Sequence, residues 1–167
     1  DTIKNTIPTK IEGNYKINIS DSVPQRLTIE GIYCLGNTSV YEGLNNATFI
    51  KTYFRGSVYY YGESNNYATY KNNSFIQCVF YAFFSGASNH TTESSYNFIN
   101  CYFVDAICNS DIYSTFKNCI LIMNSRYMNK LTYSTFENCI FRGSGNGLSA
   151  DKLSASSFAT NCVVYNS

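Results

Sequence analysis

An eight-residue stretch, Tyr113-Ser114-Thr115-Phe116-Lys117-Asn118-Cys119-Ile120, returns twenty positions later as Tyr133-Ser134-Thr135-Phe136-Glu137-Asn138-Cys139-Ile140, changed only where Lys117 gives way to Glu137. Looser copies flank the pair: Phe75-Ile76-Gln77-Cys78-Val79-Phe80, Phe98-Ile99-Asn100-Cys101-Tyr102-Phe103 and Phe158-Ala159-Thr160-Asn161-Cys162-Val163-Val164. Upstream, Phe49-Ile50-Lys51-Thr52-Tyr53-Phe54 carries Lys51 for Asn and Thr52 for Cys. Leu27-Thr28-Ile29-Glu30-Gly31-Ile32-Tyr33 carries Gly31 at the Asn position. A unit repeated at nearly fixed spacing buries its apolar side chains by stacking on its neighbours, so the repeat decides the architecture before composition is considered.

The Cys-bearing copies are 23, 18, 20 and 23 residues apart, and Cys78 follows Thr52 by 26. Unequal spacing between constant units puts the insertions in loops. The longest of these holds Tyr59-Tyr60-Tyr61-Gly62 and Asn65-Asn66. Leucine-rich repeats share the period, but their Leu-x-x-Leu-x-Leu signature is missing and no segment of helical period separates the copies. A β-sandwich would not repeat the same side chains in every unit. A parallel β-helix would, because coils stack at about 4.8 Å and equivalent side chains form ladders. The abundance of Asn, Ser, Thr and Tyr suits strands joined by polar turns, as do the lack of Trp and the presence of only Pro8 and Pro24.

Through its Phe-x-Asn-Cys-x-Phe units the chain resembles the right-handed parallel β-helix of the pectate-lyase-like superfamily over residues 27 to 164. That resemblance implies an all-β solenoid of about six or seven coils, each of 18–26 residues by the spacing. It implies little about activity, since the superfamily spans polysaccharide lyases and hydrolases, phage tailspikes and bacterial adhesins. Residues 27–167 are expected to form the β-helix and residues 1–26 an N-terminal cap or degenerate first coil. Within the latter, Tyr15-Lys16-Ile17-Asn18-Ile19 alternates as a strand does, and Asp21-Ser22-Val23-Pro24 breaks it. The start at Asp1 fits a removed targeting peptide or a segment of something longer. The apolar residues close to the last position fit a truncated fragment or an end buried against a partner.

Each unit predicts an in/out register. Phe116 points in, Lys117 out, Asn118 takes the bend in the left-handed region that Asn tolerates, then Cys119 points in, Ile120 out and Leu121 in. Stacked, this gives an inner Phe ladder (Phe49, Phe75, Phe98, Phe116, Phe136, Phe158), an Asn ladder (Asn100, Asn118, Asn138, Asn161) and an inner Cys ladder. Asn161 fits only if the last coil has one extra residue after Phe158.

Candidate chemistry is sparse. Cys78, Cys101, Cys119, Cys139 and Cys162 share one coil position, with Cys34 and Cys108 outside it. There is no CxxC pair and His90 is the sole His, which argues against a metal site, and no cofactor is expected. Stacked coils bring the Cys backbones into disulfide range, but parallel side chains seldom reach the required torsion. Buried thiols serving as small hydrophobes is the preferred reading. Glu63, Asp105 and Asp111 are the acids that could converge, yet none occupies equivalent positions on adjacent coils as a catalytic pair would. Tyr59, Tyr60 and Tyr61 are candidate binding residues, since aromatic groups on a rigid surface can stack on sugars or anchor proteins; Tyr is also simply a favoured strand residue. Five Asn-x-Ser/Thr sequons carry no weight in a chain of this composition.

The residue after each ladder Cys faces outward, so Val79, Tyr102, Ile120, Ile140 and Val163, with Tyr53 one coil earlier, form an apolar stripe. That stripe is a candidate interface, either with a second copy or with a neighbouring domain. A net charge of +1 gives no nucleic-acid footprint, and no apolar run is long enough to span a membrane. The expectation is a non-enzymatic, extracellular or surface-exposed domain of an adhesin, phage tail fibre or surface filament, secreted or on a cell or virion surface. It would present strand faces and loops to a glycan or protein. The alternative is a polysaccharide-active enzyme or an inactive relative of one.

Overall fold

The computed structural model describes residues 9–18, 26–41, 44–61, 71–82, 84–85, 95–104, 113–123, 134–143 and 158–166. These form a parallel β-solenoid with no helix among them. One sheet has eight strands: Thr9–Ile11, Ile32–Cys34, Tyr53–Phe54, Val79–Phe80, Tyr102–Phe103, Ile120–Met123, Ile140–Gly143 and Val163–Asn166. A second has seven: Thr28–Glu30, Thr48–Ile50, Asn73–Ile76, Ser95–Ile99, Tyr113–Lys117, Thr135–Glu137 and Phe158–Thr160. A third has four: Tyr15–Asn18, Thr38–Tyr41, Val58–Tyr61 and Phe84–Ser85. Neighbours in every sheet are parallel and come from successive coils. About four turns are therefore described on all three sides, fewer than the six or seven coils expected. Beyond Ser85 only two sides fall among the described residues. Thr9–Ile11 and Tyr15–Asn18 pair in register with the strands that follow them.

The corner between the seven- and eight-stranded sheets explains the repeat. Lys51, Gln77, Asn100, Asn118, Asn138 and Asn161 all have φ between 49° and 55°, and Gly31 has φ 70°. Only Gly, and next to it Asn, enters this region cheaply, so Asn marks the bend in four units and Gly31 takes it in the first, while Lys51 and Gln77 adopt the same conformation at some cost. The amides stack as well: Asn118 Nδ2 donates to Asn100 Oδ1 and Asn138 Nδ2 to Asn118 Oδ1, each at 3.2 Å. Two further corners are built differently. Asn46 and Asn72 form a second left-handed pair, with Asn72 Nδ2 donating to Asn46 Oδ1 at 3.3 Å. Gly13-Asn14, Gly36-Asn37 and Gly56-Ser57 stack at the third, where the Asn37 and Ser57 amides donate to Asn14 and Asn37 Oδ1 at 2.8 and 2.9 Å.

Inside, Phe49, Phe75, Phe98, Phe116 and Phe136 form one stack, with successive ring centroids 4.9, 5.1, 4.8 and 4.8 Å apart. Phe54, Phe80 and Phe103 form a second, at 5.1 and 4.7 Å, meeting the first edge to face. All are essentially buried. Phe158 does not join the stack, a correction to the expected ladder. Ala159 lies opposite Phe136, and Phe158 lies opposite Thr135 on the outer face, 70% exposed. The extra residue shifts Phe158 off the inner face and leaves Asn161 at the bend, where its φ of 52° matches Asn138.

The six described cysteines are free thiols, and all but Cys162 are buried. Each ladder Cys donates S–H to the carbonyl of the Phe one coil back: Cys78 to Phe49 at 3.3 Å, Cys101 to Phe75 at 3.2 Å, Cys119 to Phe98 and Cys139 to Phe116 at 3.4 Å. Thr52, the substitute in an earlier coil, turns its hydroxyl to the Ile50 carbonyl instead. Burial pushes the Cys34 and Cys101 thiols up, away from the reactive thiolate. Because the other five described thiols are buried from reagent, alkylation of native protein followed by peptide mapping should modify Cys162 first among the six described cysteines. Cys34, Cys78, Cys101, Cys119 and Cys139 should react only after denaturation, and disulfide-linked peptides from these positions would contradict the assignment.

Candidate functional site

Strand alternation sends every second side chain of the eight-stranded sheet outward. Because the sheet is parallel and in register, equivalent residues stack into columns. The first column runs Lys10, Tyr33, Tyr53, Val79, Tyr102, Ile120, Ile140, Val163. It contains every residue expected in the stripe, and above Lys10 it has no charge. Ile120 and Ile140 are each 37% exposed and Val163 46%, whereas Tyr33, Tyr53, Val79 and Tyr102 are partly shielded.

A second outward column, two residues further on, completes the face. Ile122, Arg142 and Tyr165 lie opposite one another on successive coils, and the backbone bonds from Leu35, Arg55, Tyr81 and Val104 to the preceding coil continue the column downward. Tyr81 is half exposed, and Arg55 and Arg142 are exposed. Sequence reasoning missed this column, although its signal was present: each member lies three residues after a ladder position, on the same side of the strand as the first column. The result is a strip spanning seven coils from Tyr33 to Val163, about 29 Å tall. Its lower part is aromatic and its upper part aliphatic.

The outer face of the seven-stranded sheet is different. One of its columns reads Thr28, Thr48, Ser74, Asn97, Thr115, Thr135. The other holds Glu30, Ile50, Ile76, Ile99, Lys117 and Glu137, with Lys117 Nζ 3.1 Å from Glu137 Oε1. The first of these columns bears hydroxyls and an amide as far as Thr135, as a solvated surface does; the eight-stranded sheet has no such column.

The aromatic ring geometry limits what the strip can do. Tyr33 and Tyr53 stack with centroids 4.2 Å apart and planes 8° from parallel, so each covers a face of the other. Tyr81 is tilted 38° to Tyr53 at 6.1 Å. The Tyr59-Tyr60-Tyr61 cluster lies in the strand Val58–Tyr61 and not in an inserted loop. Alternation turns Tyr60 into the core, 3% exposed, against Tyr96 and Phe84. Tyr60 thus has no surface to offer a ligand, a correction to its place among the binding residues. Tyr59 faces out and is half-buried, and the Tyr61 side chain lies outside the described residues.

Glu63, Asp105, Asp111, His90 and Cys108 also lie outside the described residues. Among the described residues no three His, Cys, Asp or Glu side chains gather as a metal site would, and no helix is long and apolar enough to cross a membrane. Compared with protein-family models, curated proteins and solved structures, the chain finds no match.

Proposed function

We propose that this chain is a non-catalytic adhesive module, a rigid solenoid that holds a partner against the outer face of its eight-stranded sheet. The observation that carries the reading is the contrast between two outer faces of one repeat. One pairs a column of Thr, Ser and Asn with a mixed column of Glu, Ile and Lys. The other stacks Tyr, Val and Ile in one column over seven coils, beside a second column that is apolar except for Arg55 and Arg142. A contiguous apolar strip of that length is what interaction surfaces present and solvated faces avoid. The parallel ladders supply rigidity, since each residue of the strip below Val163 and Tyr165 is fixed by coils above and below. The role fits a secreted, cell-surface or virion-surface setting. The three-sided coil with its left-handed Asn corner supports placing the solenoid in the right-handed, pectate-lyase-like class.

The test is a binding selection. Immobilised protein is used to select from a displayed random-peptide library and is probed on a glycan array, in parallel with an Ile120→Lys/Ile140→Lys variant of unchanged circular dichroism. Both substituted side chains point to solvent, so the fold is expected to survive. Ligands selected on the native protein should bind the variant at least tenfold more weakly. Selection of no ligand by the native protein, or equal binding by the variant, would contradict the proposal.

A further inference from the structure

The chemistry of the partner can be read from the charges on the strip. Arg55 and Arg142 are exposed in the second column, four coils apart, which is about 19 Å at the strand spacing. Between Tyr33 and Val163 the described residues place no carboxylate on this face. The face's one described acid, Glu12, lies below Tyr33 and is held by Lys10 at 2.9 Å. We infer that the strip binds an acidic protein surface, one that sets two carboxylates about 19 Å apart on either side of apolar side chains. This inference rests on the adhesive reading above.

Three observations favour that occupant. A guanidinium pairs with a carboxylate through parallel hydrogen bonds, and an unmatched cation beside apolar surface would lose hydration on docking, so a partner without acids is penalised. A second copy docked through this same face is such a partner among its described residues. Antiparallel, face to face and centred near Val104, two copies set Arg55 against Arg142; parallel, they set each Arg against its own equivalent. An acidic glycan would satisfy the cations, but Tyr33 and Tyr53 cover one another's ring faces, and the hydroxyls of a sugar laid over Ile120 and Ile140 would lose water without gaining partners. Apolar side chains flanked by Asp or Glu meet both requirements.

The probe is a fluorescein-labelled extended peptide with Glu at positions i and i+6 and Leu at i+2 and i+4. These side chains share one face of a strand, and the two Glu lie about 20 Å apart. Controls replace Glu by Lys or Leu by Ser, and polygalacturonate serves as the acidic glycan. Fluorescence anisotropy with the whole chain should show the Glu/Leu peptide binding at least tenfold more tightly than any control and weakening with salt. Arg55→Glu/Arg142→Glu should lose that peptide and gain the Lys/Leu one. No binding of the Glu/Leu peptide, unchanged binding by the Arg variant, or tighter Arg-dependent binding of polygalacturonate would overturn the inference. So would self-association that the Ile120→Lys/Ile140→Lys change abolishes. If the Ile pair matters to the library-selected ligands and the Arg pair matters to nothing, the acidic partner fails and the adhesive reading stands. If neither pair matters, both fail.

Discussion

Phe116→Ala is expected to cost about 3–5 kcal/mol of stability, while Lys117→Ala, its immediate neighbour, changes it by about 0.5 kcal/mol or less. Phe116 is fully buried, with a ring stacked 4.8 Å away on each side, Phe98 below and Phe136 above. The strands carrying those rings are fixed by their own ladders, so the cavity left by the missing ring cannot close. Lys117 points outward, and its ion pair with Glu137 joins two side chains that are each more than two-fifths exposed. Urea denaturation followed by circular dichroism compares the two variants directly. Equal sensitivity of Lys117 and Phe116 would mean a register displaced by one residue, with every inward and outward assignment exchanged.

Gly36→Ala and Gly56→Ala are expected to destabilise by about 3 kcal/mol each, at the upper end of what overpacking costs. A Cβ on Gly36 would sit 2.3 Å from the Gly13 carbonyl oxygen, and one on Gly56 would sit 2.3 Å from that of Gly36. The obstructing atoms are backbone, locked by the coil below, so relief requires separating coils that are hydrogen-bonded. Gly13 provides the internal control. It is the first of the three among the described residues and an added Cβ meets nothing within 4 Å, so Gly13→Ala should change stability by about 0.5 kcal/mol or less. The same urea titrations decide the point. Equal costs at Gly13 and Gly36 would contradict the close coil-on-coil approach at this corner.

These two expectations differ in how legible they were. The Phe, Asn and Cys ladders could be read because the same side chain returns at the same coil position, and Lys117/Glu137 showed which neighbour faces water. The outward stripe followed from the same alternation, since a strand that turns Cys119 and Leu121 inward must turn Ile120 outward. The glycine corner escaped notice because Gly13, Gly36 and Gly56 precede the regular copies, and their role depends on the coil beneath. Tyr59-Tyr60-Tyr61 was misplaced because a run of three identical residues hides alternation. Only the strand Val58–Tyr61 shows Tyr60 turned inward. Phe158 was misassigned because one inserted residue leaves the motif recognisable while changing the face of its first member. The Arg55 and Arg142 positions needed the second outward column, which lies beyond the repeated motif.

The most direct test of the solenoid and its outward column is a set of distances along that column. Spin labels attached through a keto-bearing amino acid, which leaves the thiols untouched, are placed in pairs with one label always at 163 and the other at 79, 53 or 33. Dipolar spectroscopy should give separations of about 19, 24 and 29 Å, one strand spacing of about 4.8 Å for each added coil. The labels should remain mobile, as expected for outward-facing positions. Separations that fail to rise in this order, or labels immobilised as if in a core, would contradict a straight parallel ladder that turns Tyr33, Tyr53, Val79 and Val163 to the outside.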